Sequence, residues 1–359
     1  MKQYLVIGSG LIGRLLSWRL IQAGHAVDIL SSDDKQGTDS AGYVAAAMIA
    51  PVTEAVTAEA KVRDIGMQSL KLWPQWLKEL PEQIFYQNHG TLVVAHAGDK
   101  AELDRYQRRA NHVLDKGAFE QLDQQQLTER ESELAENFDQ AMLFEHEACL
   151  DNRQLFQSLG NVLSDSCDWQ QCEPVEHLTE QSIAQLTLEN FDKSSDGYDA
   201  VIDCRGNGAR PDLADLRSVR GEVIRVHAPE VSFNHCIRLM HPRYPLYLAP
   251  RPNNEYVLGA TVVESDDRSP VSVRSGLELM SALYSLHKGF AEARILEMSS
   301  HCRPGLSNNM PTIKRSSWGF HLNGFYRHGY LFGPAIITDF LNILNDQTEQ
   351  VSFGEYYDI

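Results

Sequence analysis

The chain has 359 residues and a formal charge of −17, from 32 basic and 49 acidic side chains. That length exceeds one ordinary core, so two domains are expected. The acidic balance argues against nucleic acid or an anionic membrane as the main partner, since both need concentrated positive charge.

The first apolar run, Gln3-Tyr4-Leu5-Val6-Ile7, reads as a strand. It meets a glycine turn and carries no cleavage-site pattern, so a cytoplasmic protein is expected. The turn, Gly8-Ser9-Gly10-Leu11-Ile12-Gly13, is Gly-x-Gly-x-x-Gly, and an amphipathic stretch from Arg14 to Ala23 follows. Strand, turn and helix together make a dinucleotide-binding candidate. Gly8 allows the tight turn, Gly10 lets backbone approach a pyrophosphate, and Gly13 lets helix and strand pack closely. The positive end of the helix supplies the anion site.

A second strand, Ala26 to Leu30, ends where an adenosine site usually carries Asp or Glu. Here Ser31 and Ser32 come first and Asp33 follows, leaving either a serine or Asp33 to reach the ribose hydroxyls. The run of small residues from Ala41 to Pro51 suits either close approach to a flat cofactor or a tightly packed helix start. The spacing of Ile65, Leu72, Trp76 and Leu80 predicts a helix over 62–80, kinked or split by Pro74 after Trp73. Residues 83–86 and 91–95 read as a hairpin around Gly90. Residues 99–137 read as a solvated, partly helical face, and Asp151 or Asn152 as the cap of another helix.

The stretch Tyr198 to Gly208 reads as a short buried strand running into a glycine-containing turn, where α/β proteins place ligands. Residues 219–226 and 247–261 read as strands, with Pro252-Asn253-Asn254-Glu255 turning a hairpin, and 276–297 as a helix. No stretch approaches the length that spans a bilayer. The six cysteines show no Cys-x-x-Cys pair or zinc spacing, and no metal site or Ser–His–Asp set stands out.

The glycine turn, Ala45 to Pro51, Gly90 to Val94, Cys149-Leu150-Asp151 and Val219 to Glu222 resemble one family, in order and spacing. The carboxyl half adds Tyr247 to Arg251, Tyr256 to Thr261, Cys302-Arg303-Pro304-Gly305 and Gly324 to Ala335. These segments resemble the flavin-dependent amine and D-amino acid oxidase superfamily. The likeness is closest to glycine oxidases of thiamine biosynthesis and more distant to sarcosine oxidase-like enzymes.

The resemblance implies an α/β plus α+β chain in which a Rossmann-like FAD-binding domain is interrupted by a β-rich substrate domain. The first would comprise residues 1–82, 146–215 and 299–359, and the second residues 83–145 and 216–298. It implies noncovalent FAD, a small amine or amino acid as substrate, and O2 or another electron acceptor. A homo-oligomer is left open. By the same likeness Arg303 is the clamp for a substrate carboxylate, a task that suits the guanidinium fork. Tyr247 assists it, and Val262 walls the pocket. Arg327 and the helix expected to begin near Pro334 are placed to stabilise negative charge on the reduced flavin. FAD contacts are implied at Gly8, Gly10, Leu11, Ile12, Gly13, Ser31, Ser32, Ala46, Ala47, Met48, Cys204, Gly206, Arg303, His328, Gly329, Tyr330 and Leu331.

Ser31, Ala47, Ser299-Ser300-His301, Asn308-Asn309 and Lys314 depart from the family pattern around the cofactor and the substrate entrance. They leave the substrate open. A flavin-binding accessory protein without turnover is the first rival, and an NAD-linked dehydrogenase on the same glycine turn the second.

Overall fold

A computed structural model gives the fold, and it describes residues 1–58, 60–240 and 246–359. The chain opens as β1 (Gln3–Ile7), α1 (Leu11–Gln22) and β2 (Ala26–Ser31). A short α2 (Ala41–Val44) is capped by Ser40, whose hydroxyl accepts from the Tyr43 amide at 3.2 Å. Then come β3 (Met48–Ile49), α3 (Pro51–Ala55) and α4 (Ala60–Lys78). Pro74 lies inside α4, which continues past it as one assigned helix instead of splitting after Trp73. The fully buried Trp73 and Trp76 hold that region against α1 and α10 (Gly329–Leu344).

Next are β4 (Tyr86–Gln87), β5 (Thr91–Val94), α5 (Lys100–Val113), β6 (Glu120–Asp123), α6 (Gln124–Arg130) and β7 (Gln140–Phe144). The hairpin expected around Gly90 does not form: β4 pairs with β8 (Ala148–Leu150), whereas β5 joins another sheet. Nor is the 99–137 stretch wholly solvated. Leu103, Tyr106 and Ala110 on α5 are buried, and the Tyr106 hydroxyl donates to the Thr53 carbonyl at 2.9 Å.

Asp151 caps α7 (Asn152–Ser166), accepting from the amides of Arg153 and Gln154. After β9 (Asp168–Gln171), α8 (Glu180–Phe191) and β10 (Ala200–Asp203), the chain builds β11 (Arg217–His227), β12 (Cys236–Leu239), β13 (Leu246–Pro250), β14 (Glu255–Gly259) and β15 (Val263–Glu264). The β13–β14 hairpin turns at Pro252-Asn253-Asn254, as its turn residues predict.

The helix expected over 276–297 is instead α9 (Val273–Leu286), a 3₁₀ turn, and the start of β16 (Arg294–Gly305). Strand pairing overrides local pattern here, because β16 lies antiparallel to β11 along almost its whole length. Finally β17 (Thr312–Ser316) and β18 (Gly319–Asn323) precede α10. That helix begins at Gly329, so Pro334 sits in its second turn and not at its start.

Two sheets organise this. One runs β17-β18-β10-β1-β2-β9, parallel throughout except for β17. Leu15, Trp18, Phe332 and Ile336 from α1 and α10 belong to the apolar core built against it. The other has nine strands, in the order β15-β11-β14-β13-β12-β5-β7-β6 with β16 added on β11, and packs Leu279, Leu283 and Leu286 of α9 into its own core. In the first sheet β1 is flanked by β2 on one side and β10 on the other. The strand order therefore reverses beside the carboxyl end of β1, where open α/β sheets leave a crevice. Among the described residues no helix is long and apolar enough to cross a membrane.

Candidate active site

A cavity of about 730 Å³ starts at that crevice and extends along the faces of β13, β11 and β16. Its floor is the glycine turn. Gly8 has φ +103, and a Cβ there would stand 2.7 Å from the Cys204 carbonyl carbon; one on Gly13 would stand 1.9 Å from the Gly8 oxygen. Side chains are excluded at both positions by close backbone approach. At Gly10, the N-cap of α1, a Cβ would project into the open, 3.9 Å from its nearest neighbour. No side chain caps α1 and its first turn holds no acid, so its amides are left for an external anion.

Arg14, directly after the turn, is fully buried. Its Nε donates to the Ser9 carbonyl at 2.7 Å and Nη1 to the Lys35 carbonyl at 3.0 Å, while the guanidinium lies 4.9 Å over Phe156 and 4.8 Å over Trp169. Burial lowers its pKa to about 10, against the pull of Asp33 and Asp34. Arg14 thus ties the glycine turn to the loop after β2. Sequence reading passed over it, although a charge on the apolar side of α1 was the available signal.

Ser31 is turned toward that turn. The Ser9 and Ser31 hydroxyls lie 2.7 Å apart, and the amides of Ser9 and Asp33 each donate to Ser31 Oγ at 3.2 Å. Asp33 Oδ1 accepts from the amides of Asp34 and Asp39, whereas Oδ2 has no partner among the described residues. Burial raises the Asp33 pKa. Of the two alternatives for the ribose, the acid holds the free oxygen.

Of the residues singled out from sequence, the structure brings to the cavity Gly8, Gly10, Leu11, Ile12, Ser31, Ser32, Ala46, Ala47, Met48, Cys204, Gly206, Tyr247, Val262, Arg303, Arg327, His328, Gly329, Tyr330 and Leu331. Gly13 stands behind the lining, where it sets the helix against the strand. Ala47, in the place of a family glycine, adopts φ +49, the left-handed conformation that glycine takes most easily.

Arg303 projects from β16 across Gly221 of β11, where any Cβ would stand 2.0 Å from Nη2. Its Nη1 donates to the Thr261 carbonyl at 3.2 Å, and it pairs with no carboxylate among the described residues. Burial lowers its pKa to about 10, and the like charge of Arg327 adds to the effect. Arg303 is half-buried, and a partly desolvated cation without a counter-ion favours a neighbouring anion.

The same cavity is lined by a carboxylate that sequence reading missed. Glu54 on α3 is buried; the Tyr247 hydroxyl donates to its Oε1 at 2.5 Å and Arg327 Nη2 to its Oε2 at 2.6 Å. His328 Nε2 lies 3.1 Å from Oε2 and 3.3 Å from Arg327 Nε, which donates to it. Burial alone would raise the Glu54 pKa, yet Arg327, His328 and Arg238 hold it well below the usual carboxylate range. Burial pushes His328 down, and its Nδ1 has no partner among the described residues. Tyr247 and Arg327, placed from sequence at the substrate and the flavin, are both joined here to Glu54.

A second buried acid holds the helix that carries Glu54. Glu147 Oε1 accepts from the amides of Val52 and Thr53 at 3.1 and 2.6 Å, and the Thr53 hydroxyl lies 3.1 Å from Oε2. Burial pushes Glu147 up to about 7, with the bonds from Thr53 opposing. Between about pH 4.5 and 7 the folded chain therefore keeps a proton that the unfolded chain has lost. The stabilisation is complete below the unfolded pKa and disappears as pH rises through 7, a change on the order of 3 kcal/mol. Glu147→Gln keeps both acceptor and donor in place and does not titrate. It is expected to flatten the fall in stability between pH 4.5 and 8 by that amount, measured by urea unfolding at both pH values beside the parent.

The family profile described as FAD dependent oxidoreductase (DAO) matches residues 3–337. A Rhizobium etli protein that carries the name thiamine biosynthesis oxidoreductase ThiO is 36% identical over 332 residues, covering 92% of this chain and 93% of its own. Among solved structures, glycine oxidase from Geobacillus kaustophilus superposes with a TM-score of 0.80 at 20% identity, over 100% of this chain and 99% of that one. Iminodiacetate oxidase (IdaA) from Chelativorans sp. BNC1 gives 0.79 at 21% identity, over 99% and 98%. At those identities the two structures speak for the fold alone.

Proposed function

The chain belongs to the DAO family of FAD-dependent oxidoreductases, and on that premise we propose that it oxidises a small α-amino acid or secondary amine at the carbon bearing nitrogen. The uncapped α1 amides, the glycine floor and the free Asp33 oxygen suit the pyrophosphate and ribose of FAD. FAD held there would supply the acceptor for the hydride from the amine-bearing carbon, with O2, which we assign as the final oxidant, giving H2O2. The chain's own part is to hold the substrate and exclude wrong geometries.

One observation carries the reading: the half-buried Arg303 guanidinium lines the cavity that the glycine turn floors and pairs with no carboxylate among the described residues. A substrate carboxylate gripped there orients the adjacent Cα–H, which is the main contribution expected of such a clamp. Val262, 43% exposed, stands at the wall on the segment after β14 and limits substituents on that carbon. The imine that results hydrolyses in water and asks no further catalytic group of the protein.

The test is spectroscopic. Purified protein is expected to be yellow and to bleach anaerobically with at least one of glycine, sarcosine, proline or a D-amino acid. The Ser9–Ser31 closure, which replaces an acid at the end of β2, favours the rival of a flavin-binding protein without turnover. Bound flavin that no member of the panel reduces decides for that rival, and colourless protein that takes up no FAD defeats both.

A further inference from the structure

Glu54 lines the same cavity as Arg303, with Arg327 and His328 acting electrostatically on both, and the reading above gives it no task. Among the described lining residues it is the only fully buried carboxylate. Asp39 and Asp266 are exposed and paired with Arg268 and Arg210, and Asp33 caps the loop after β2. A carboxylate can accept about four hydrogen bonds. Oε2 is occupied by Arg327 Nη2 at 2.6 Å and by His328 Nε2 at 3.1 Å. Among the described residues Oε1 accepts only from the Tyr247 hydroxyl, which leaves it a second lone pair.

An α-amino acid carries a cation and an anion joined through one carbon, and the cavity offers the opposite pair of charges. Arg303 is an unpaired cation fixed on a strand. Glu54 is an anion held in place from three directions. We propose that Glu54 Oε1 receives an N–H of the substrate's amine while Arg303 receives its carboxylate. The proposal rests on the amino acid reading above.

Two attachment points leave one axis of rotation, and the side walls then decide which C–H faces the floor. The same arrangement selects amines over 2-hydroxy acids, whose hydroxyl brings no positive charge to Glu54. Glu54 is too strongly held as a carboxylate to keep a proton itself, so it positions the amine and leaves the proton to solvent.

The test separates amine from carboxylate recognition. Anaerobic reduction by glycine and by sarcosine gives a dissociation constant for each amine, and calorimetric titration with acetate gives one for a carboxylate without an amine. In Glu54→Gln both amines are expected to bind at least 30-fold more weakly, while acetate stays within 3-fold of the parent. Glu54→Asp keeps the charge for Arg327 and retreats by one methylene. It serves if the glutamine variant does not fold, with about 10-fold weaker amine binding expected. Amine binding within 3-fold of the parent in a folded, flavin-loaded variant overturns the proposal, and so does equal loss of acetate and amine. A parent that binds acetate but is reduced by no amine overturns the function itself, a result distinct from either.

Discussion

Arg303→Met is expected to weaken binding of a carboxylate-bearing amine by about 100- to 1,000-fold, the cost of truncating one partner of a buried, hydrogen-bonded charge pair. Saturation of the anaerobic reduction rate measures it. Flavin content is expected to stay near that of the parent. Stability should move the other way. The lowered pKa of Arg303, about 10, means that folding disfavours its charged form below that pH by on the order of 3 kcal/mol. An apolar side chain of similar length relieves that cost, so the variant without ligand is expected to unfold a few degrees above the parent. Gly221→Ala supplies the companion result. Its Cβ would overlap the guanidinium, so it is expected to reproduce the binding loss of Arg303→Met although no charge is removed. Normal amine affinity in Gly221→Ala would place the working position of Arg303 elsewhere.

Gly13→Ala is expected to abolish flavin binding, and a soluble product is expected to be colourless. The added carbon would stand 1.9 Å from the Gly8 oxygen, so either α1 or the turn must leave its place, and the anion site goes with it. Gly24→Ala is the control. Gly24 also has a positive φ, of +81, but nothing lies within 4 Å of its added carbon. It is expected to cost only about 1 kcal/mol of backbone strain and to keep the colour. The ratio of flavin absorbance to protein absorbance separates the two variants. Full flavin in Gly13→Ala would show that the turn is not the cofactor's floor.

The glycine turn was legible because its chemistry is local: strand, glycines and helix are consecutive, and their spacing states the geometry. The β13–β14 hairpin was legible for the same reason, through its turn residues. Arg303 and Tyr247 were found by resemblance, not by periodicity. Glu54 escaped both routes. It follows the small-residue run by only a few positions, yet nothing next to it in sequence marks it as special. Its surroundings come from β13, from the turn before α10 and from the Glu147 cap on α3, parts that meet only in the folded chain.

The misread helix over 276–297 has a different cause. Its apolar spacing continues past Leu286, but β11 offers β16 a long ladder, and that pairing overrides the local period. The hairpin around Gly90 failed because sequence neighbours, β4 and β5, take partners in different sheets.

The ladder between β11 and β16 also limits how the pocket can be re-engineered. His301 and Arg303 share one face of the strand because side chains alternate, and both line the cavity. Adding or deleting a single residue between Met298 and His301 would turn that face over and swap the cation for its neighbours. New substrate preferences are therefore better sought by exchanging side chains in the segment from Val262 to Arg268, which borders the same cavity.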